Sequence, residues 1–140
     1  MLVSASVASL MRRPIRELLL DLQPRRIVDI RIAPSFGRLG LSRAEFLALL
    51  GELGITYDHF PSLANRFAGS SWHPELLRKQ FTAHLAEQVD MVRELRDLID
   101  EGSVLLIGAD PRGATSDRDI LLSALEAVRP GFELQYLPEV

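Results

Sequence analysis

Two opposite charges interrupt an apolar, β-branched run in the stretch Arg26-Ile-Val-Asp-Ile-Arg-Ile-Ala-Pro34. Residues two positions apart on a strand share a face, so Asp29 and Arg31 emerge together if the aliphatic residues between them are buried. They would lie at the carboxyl end of the strand, where open α/β sheets bind ligands. The pair is therefore the leading candidate for a site. An ion pair that only supports the turn at Pro34 is the structural alternative.

A second pair, Tyr57 and His59, lies in the alternating, β-rich stretch from Ile55 to Phe60. The two side chains are expected on one face of a strand that ends before Pro61. An unperturbed histidine has a pKa of about 6.5, which suits proton transfer at neutral pH. Acid–base catalysis by His59 and Asp29 is therefore one hypothesis. Its alternative is a His59 ring that is hydrogen-bonded to Asp29 or to a loop carbonyl.

Basic and polar residues in the predicted loops and at one helix start are candidate contacts for an anion. Guanidinium groups bind phosphate and carboxylate through paired N–H donors, and helix N-termini add free N–H groups. Asp117 and Asp119 already complement the dipole of the last helix, so a helix cap formed by Ser116 and Asp119 is the favoured alternative there. The candidate ligand-binding residues are Arg31, Arg38, Tyr57, Asn65, Arg66, Asp110, Ser116 and Arg118.

The residues that several other kinds of site require are missing from the sequence. The chain has no cysteine, which excludes disulfides, thiolate nucleophiles and cysteine-ligated metals. The three histidines have no recognised ligand spacing, so we predict no metal site. Gly69-Ser70-Ser71 is not a nucleophile elbow, and the turn at residues 110–114 matches no phosphate-loop fingerprint. The sequence implies no particular cofactor.

The elements that would position these residues alternate between strands and helices. Five strands are predicted, at residues 2–7, 26–34, 55–60, 103–109 and 132–137. The run from Ser103 to Ala109 is apolar throughout, as expected of a central parallel strand that is buried on both faces. Connections of this kind form right-handed βαβ units. We therefore predict one three-layer, Rossmann-like α/β domain over residues 1–140, with a mainly parallel sheet of about five strands.

Four helices separate the strands. Pro14 suits the first turn of one helix, and Ser42 with Glu45 forms a capping box for a second that ends at Gly54. The third runs from Pro74 to about residue 101, which is longer than the strands need, so a break near Ala86 or Glu87 is predicted. The fourth is predicted to begin after Ser116 and to end at Pro130-Gly131.

Composition limits the partners. The 140 residues carry a formal charge of −3 at pH 7, without the basic excess that phosphate contacts to nucleic acid require. No apolar run approaches the roughly 20 residues that span a bilayer. We expect no nucleic-acid partner, no membrane span and a cytoplasmic location.

With these elements in place, the chain resembles the family known as domain of unknown function 488, or DUF488, over nearly its full length. Val28-Asp29-Ile30-Arg31, followed by Pro34 to Gly40, matches one family motif. The more specific match is Gly54-Ile55-Thr-Tyr57-Asp-His59-Phe-Pro61-Ser-Leu63. The resemblance implies the α/β fold and a polar pocket at the carboxyl ends of the strands.

Three motifs of that family are missing here. Residues 5–9 lack its Gly-His-Ser turn, Ile107-Gly108-Ala109 stands in place of its Cys-Ala-Glu, and Ser116-Asp117-Arg118 stands in place of its Cys-His-Arg. Only Arg118 is retained at the last of these positions. The chain thus resembles a divergent member whose reactive motifs are degenerate.

Three hypotheses on function follow from these residues. The favoured one is binding of a small polar or anionic ligand at the carboxyl ends of the strands. The second is a small enzyme that uses His59 and Asp29, with Arg31 and Arg118 neutralising developing charge. The third is a homodimeric accessory protein whose contact is a helical stripe of Val89, Met91 and Leu98.

Overall fold

A computed structural model describes residues 1–67, 73–109 and 116–139 of the chain. The strands are β1 (Leu2–Ser6), β2 (Arg26–Asp29), β3 (Thr56–His59), β4 (Val104–Gly108) and β5 (Leu134–Tyr136). The helices are α1 (Val7–Leu10), α2 (Ile15–Leu22), α3 (Arg43–Leu53), α4 (Pro74–Glu87), α5 (Val89–Glu101) and α6 (Asp117–Val128). Short 3₁₀ turns occupy Gly37–Leu39 and Pro61–Leu63.

The five strands form one sheet in the order β3-β2-β4-β1-β5, and every pairing between them is parallel. The fully apolar β4 lies at the centre, hydrogen-bonded to β1 on one side and to β2 on the other. In the register of β2 and β3, Asp29 is opposite His59. The predicted fold class, a three-layer α/β domain with a parallel five-stranded sheet, is confirmed.

Two hydrophobic clusters cover the two faces of the sheet. The first cluster includes Phe81 of α4, Leu95 of α5 and Leu121 of α6, together with Leu106 of β4. The second cluster contains residues of α1, α2 and α3, packed against the alternate residues of the strands. Because side chains alternate along a strand, Asp29 lies on the same face as the second cluster.

The connections that follow β2 and β4 leave the sheet on opposite faces. The chain passes from β2 to α3 in the second cluster, whereas α6 follows β4 on the face of the first cluster. A crevice opens at the carboxyl ends of neighbouring strands when their connections diverge in this way. The strands β2 and β4 end at Asp29 and Gly108, so these residues mark the edge where this fold places a ligand.

Local sequence signals predict most of the element boundaries. The capping box of α3 is present, with Glu45 N–H donating to Ser42 Oγ at 3.1 Å and Ser42 N–H donating to Glu45 Oε1 at 3.0 Å. The predicted break in the long helix is confirmed and lies at Gln88, between α4 and α5. The helix α1 was not predicted, because four residues are too few for a hydrophobic period. Its start at Val7 shortens the predicted first strand by one residue.

The helical stripe predicted for dimerisation is only partly exposed. Met91 and Leu98 pack against the first cluster, and Val89 alone of the three is exposed. Met91 and Leu98 are therefore less exposed than predicted, because that side of α5 packs against the first cluster, and the homodimer stays a prediction.

None of the helices in the described ranges has both the length and the apolar character needed to cross a bilayer.

Candidate functional site

The carboxylate of Asp29, at the end of β2, is completely buried and held by two side chains. Arg31 donates from Nε to Oδ1 at 3.0 Å and from Nη2 to Oδ2 at 2.8 Å. The Tyr57 hydroxyl donates to Oδ2 at 2.8 Å. Paired N–H donors to a carboxylate form one of the strongest ion-pair geometries in proteins. The predicted proximity of Asp29 and Arg31 is confirmed, and Tyr57 belongs to the same cluster.

Aromatic rings shield this ion pair from water. The Arg31 guanidinium carbon lies 5.2 Å from the centre of the Phe36 ring, and Phe36 stacks on Phe46 at 4.2 Å. Tyr57 meets both rings edge-on. Burial raises the pKa of Tyr57 above its ordinary value, and the neighbouring Asp29 carboxylate raises it further. Tyr57 therefore stays protonated and remains a hydrogen-bond donor to Asp29.

His59 supports the loop that follows β2. Its Nε2 lies 2.5 Å from the carbonyl oxygen of Arg31, so in the matching tautomer Nε2–H donates to that oxygen. Arg31 Nη1 in turn donates to the carbonyl of Ser35 at 2.9 Å. The His59 ring thus makes a hydrogen bond to a loop carbonyl, which is one of the structural alternatives to catalysis given in the sequence analysis. Acid–base catalysis by His59 and Asp29 stays a prediction.

Arg118 is fully buried over the end of β4. It donates from Nη1 to Ser4 Oγ at 2.8 Å and from Nη2 to Glu139 Oε1 at 2.9 Å. Its aliphatic stem crosses Gly108 so closely that a Cβ placed there would be 2.6 Å from Arg118 Cγ. The path of the Arg118 side chain thus requires glycine at position 108. The guanidinium is already paired with a carboxylate of the chain, that of Glu139.

The start of α6 is capped differently from the prediction. Ser116 is the N-cap residue, but its side chain is buried and its Oγ makes no hydrogen bond within the described chain. The carboxylate of Asp117 instead accepts the N–H of Arg118 at 2.8 Å and that of Ala109 at 3.3 Å. The predicted cap bond from Ser116 was therefore wrong.

The remaining candidates are dispersed. Asn65 is buried, and its Oδ1 accepts the N–H of Phe67 at 3.0 Å, as in a turn. Arg66 is exposed, and Asp110 lies outside the described residues. No cluster of three histidine, aspartate or glutamate side chains suited to a metal occurs in the described ranges.

Arg38 lies in a basic cavity at the carboxyl edge. The cavity has a volume of about 300 Å³. It lies between the turn that joins α1 to α2 and the 3₁₀ turn Gly37–Leu39. Its lining residues are Leu10, Met11, Arg12, Arg13, Pro14, Ile15, Arg38 and Leu39. We call it the arginine cavity.

The charges in the arginine cavity are only partly compensated. Arg13 forms an ion pair with Asp21. Arg12 and Arg38 have no carboxylate within salt-bridge distance in the part of the chain that the structure describes. The arrangement therefore leaves two exposed guanidinium groups beside one concave surface.

Sequence reasoning included Arg38 among the candidates but missed Arg12 and Arg13. The available signal was two adjacent arginines between the carboxyl end of β1 and Pro14, at the start of α2. Residues Arg12 and Arg13 also line a second cavity of about 270 Å³, which includes Ser9 and Leu137.

These features define an open, parallel α/β domain of Rossmann-like architecture, with its polar side chains gathered at the carboxyl edge of the sheet. The family model described as "Domain of unknown function DUF488" matches residues 12–125, and the chain belongs to that family. The matched region contains both motifs on which the resemblance rested. Searches of curated proteins and of solved structures found no match.

Proposed function

We propose that this domain binds a small anionic ligand at the carboxyl edge of its sheet, in the arginine cavity. The observation that carries the proposal is the uncompensated charge there, since Arg12 and Arg38 have no acidic partner among the described residues. Guanidinium groups match phosphate and carboxylate through forked N–H donors. A volume of about 300 Å³ suits a phosphate-bearing or carboxylate-bearing metabolite.

The start of α2 adds to the attraction for an anion. The first N–H groups of a helix have no acceptor within the helix, and the N-cap residue Pro14 has no side-chain acceptor to offer. Both Pro14 and Ile15, the first helical residue, line the cavity. The acidic residue of that first turn, Glu17, lies outside the lining.

Two other arginines were stronger candidates in the sequence, but their charges are already neutralised. Arg31 is bound to Asp29, and Arg118 is bound to Glu139. An anion at either arginine would have to displace a carboxylate of the chain from a buried or partly buried ion pair, which is costly. We assign Asp29, Arg31, Tyr57 and His59 a positioning role, because they hold the loop that leads to Arg38.

A binding role is preferred to the acid–base enzyme. Both oxygens of Asp29 accept hydrogen bonds, and the carboxylate has no exposed surface through which to exchange a proton with a substrate. The sequence lacks the cysteine and histidine motifs of the family, and their absence also favours a binding role.

The proposal is tested by isothermal titration with inorganic pyrophosphate, AMP and citrate at fixed ionic strength. We expect at least one of these probes to bind wild type and to lose about tenfold or more in affinity in Arg38→Ala, as for a charge-assisted hydrogen bond. Arg43→Ala is the matched control, since Arg43 is also exposed but lies outside the cavity.

Two results would overturn the proposal. One is the absence of a heat of binding for all three probes. The other is an equal loss of affinity in Arg38→Ala and Arg43→Ala, which would indicate nonspecific attraction to a basic surface.

A further inference from the structure

A cavity lies on the helical face that covers the first cluster, between α4, α5 and α6. Its volume is about 740 Å³, within the range of small-molecule sites. The lining residues are Arg78, Thr82, Leu85, Ala86, Val89, Val92, Arg93, Asp119, Ile120, Ser123, Ala124, Ala127 and Val128. We call it the helical groove. Small side chains at positions 86, 123, 124 and 127 contribute to its lining.

The floor of the groove is the hydrophobic core itself. Leu85, Val92 and Ile120 are buried members of the first cluster and also line the groove. An apolar chain lying there would remove its own surface and that of the groove from water, which is favourable. The apolar side chains in the floor of the groove therefore favour binding of a hydrocarbon chain.

The two ends of the groove differ in charge. Both helical connections run from the carboxyl edge of the sheet to its amino edge, so α6 runs in the same direction as α4 and α5. Arg78 and Asp119 are early residues of α4 and α6 and lie toward one end. Arg93 and Val128 come later and lie toward the other end, where no acidic residue lines the groove.

Arg93 has its charge available for a ligand. It is exposed and has no carboxylate within salt-bridge distance in the described ranges. Asp97, one helical turn further on, is paired instead with Arg129 at 2.8 Å. An anionic head group would therefore find an unpaired guanidinium next to an apolar channel.

We infer that the helical groove binds an amphipathic carboxylate, with its head group at Arg93 and its hydrocarbon chain along the alanines of α6. The shape of the surface favours a small molecule over a second copy of the chain. Leu85, Val92 and Ile120 in its floor are buried members of the first cluster, so the apolar surface lies at the bottom of a concave groove.

The test is isothermal titration of the full chain with dodecanoate, with dodecanol as the uncharged probe of equal chain length. We expect one molecule of dodecanoate to bind per chain. Ala124→Phe, which fills the groove, should weaken binding by about tenfold or more. Ala127→Leu is a milder filling variant in case Ala124→Phe fails to fold. Ala83→Phe, on an exposed position of α4 outside the lining, is the control and should bind normally.

The head group is tested by Arg93→Gln, which should weaken dodecanoate by about tenfold and leave dodecanol unchanged. Absence of dodecanoate binding would overturn the inference, as would an equal loss in Ala83→Phe or an unchanged affinity in Arg93→Gln. Sedimentation showing a dimer that Ala127→Leu dissociates would also overturn it, because a second copy would then cover the groove. Arg38→Ala should bind dodecanoate normally, which separates this site from the arginine cavity.

Discussion

Asp29 has both of its oxygens committed to partners on neighbouring segments of the chain. Arg31 follows it by two residues, whereas Tyr57 comes from the adjacent strand β3. A buried carboxylate is stable only when it is paired and hydrogen-bonded. Asp29 is therefore an anchor for the loop after β2. Tyr57 adds a hydrogen bond to it from the neighbouring strand β3.

Replacing Tyr57 by Phe tests this anchor through its pH dependence. At neutral pH the variant should lose roughly 1.5–3 kcal/mol of stability, as for a hydrogen bond to a charged group. The pKa of Tyr57 is raised above its ordinary value of 10.0, so the stability that the phenol contributes is present below that pH. It is lost as the pH rises toward the folded-state pKa. The difference between wild type and Tyr57→Phe should therefore shrink in alkaline solution.

The measurement is urea unfolding of both proteins, monitored by circular dichroism, at several pH values on either side of 10. Tyr136 is the only other tyrosine of the chain, so Tyr136→Phe serves as a comparison. A difference between wild type and Tyr57→Phe that stays constant across this range would show that Tyr57 is not the titrating donor.

At the level of elements, two helices that begin with serine start in different ways. Ser42 makes a reciprocal capping box with Glu45, and the backbone and hydroxyl donors of Ser42 lower the pKa of that carboxylate. Ser116 occupies the same N-cap position of α6 without a hydrogen bond from its side chain. The sequence pattern is alike at both helices, but Asp117 takes over the capping of α6.

These two serines make a matched pair for mutation. Ser42→Ala should cost about 1 kcal/mol of unfolding free energy, the usual value for an N-cap residue. Ser116→Ala should be neutral or slightly stabilising, because it removes a buried hydroxyl that lacks a partner in the described chain. Chemical denaturation of both variants provides the measurement. Equal losses would mean that Ser116 does cap α6 in solution.

Across the whole molecule, Arg118 joins parts of the chain that are far apart in sequence. It contacts Ser4 in β1 and Glu139 near the end of the chain, 114 and 21 residues away. The guanidinium is fully buried, and the Glu139 side chain is 16% exposed. Breaking a buried ion pair by removing one partner leaves an uncompensated charge.

We therefore expect Arg118→Met to destabilise the fold by roughly 3–5 kcal/mol. Arg16→Ala is the comparison, since Arg16 pairs with Glu52 on the surface, where both side chains are more than half exposed. Exposed pairs contribute at most about 1 kcal/mol. Urea unfolding of the two variants measures the difference. Similar losses in both would show that the Arg118 pair is not essential to the fold.

Most of the fold could be predicted from sequence because its signals are local. The apolar run at β4, the capping box at Ser42 and the helix break near Glu87 each depend on residues within one or two turns of one another. A strand with apolar residues at every position must be covered on both faces, which requires a parallel, layered sheet. The pairing of Asp29 with Arg31 was predictable for the same reason, since the two residues are only two positions apart at the end of β2.

The tertiary structure alone decided which arginines keep an uncompensated charge. Arg31 and Arg118 are stronger candidates than Arg38 in the sequence, but Arg118 is neutralised by a distant glutamate and Arg38 joins Arg12 beside a cavity. The helical groove likewise depends on how α4, α5 and α6 pack against one another. The sequence by itself therefore determined the class of fold and one polar cluster. The positions of the uncompensated arginines and of the cavities could be seen only in the tertiary structure. Both depend on contacts between segments that are distant in the sequence, which no local pattern specifies.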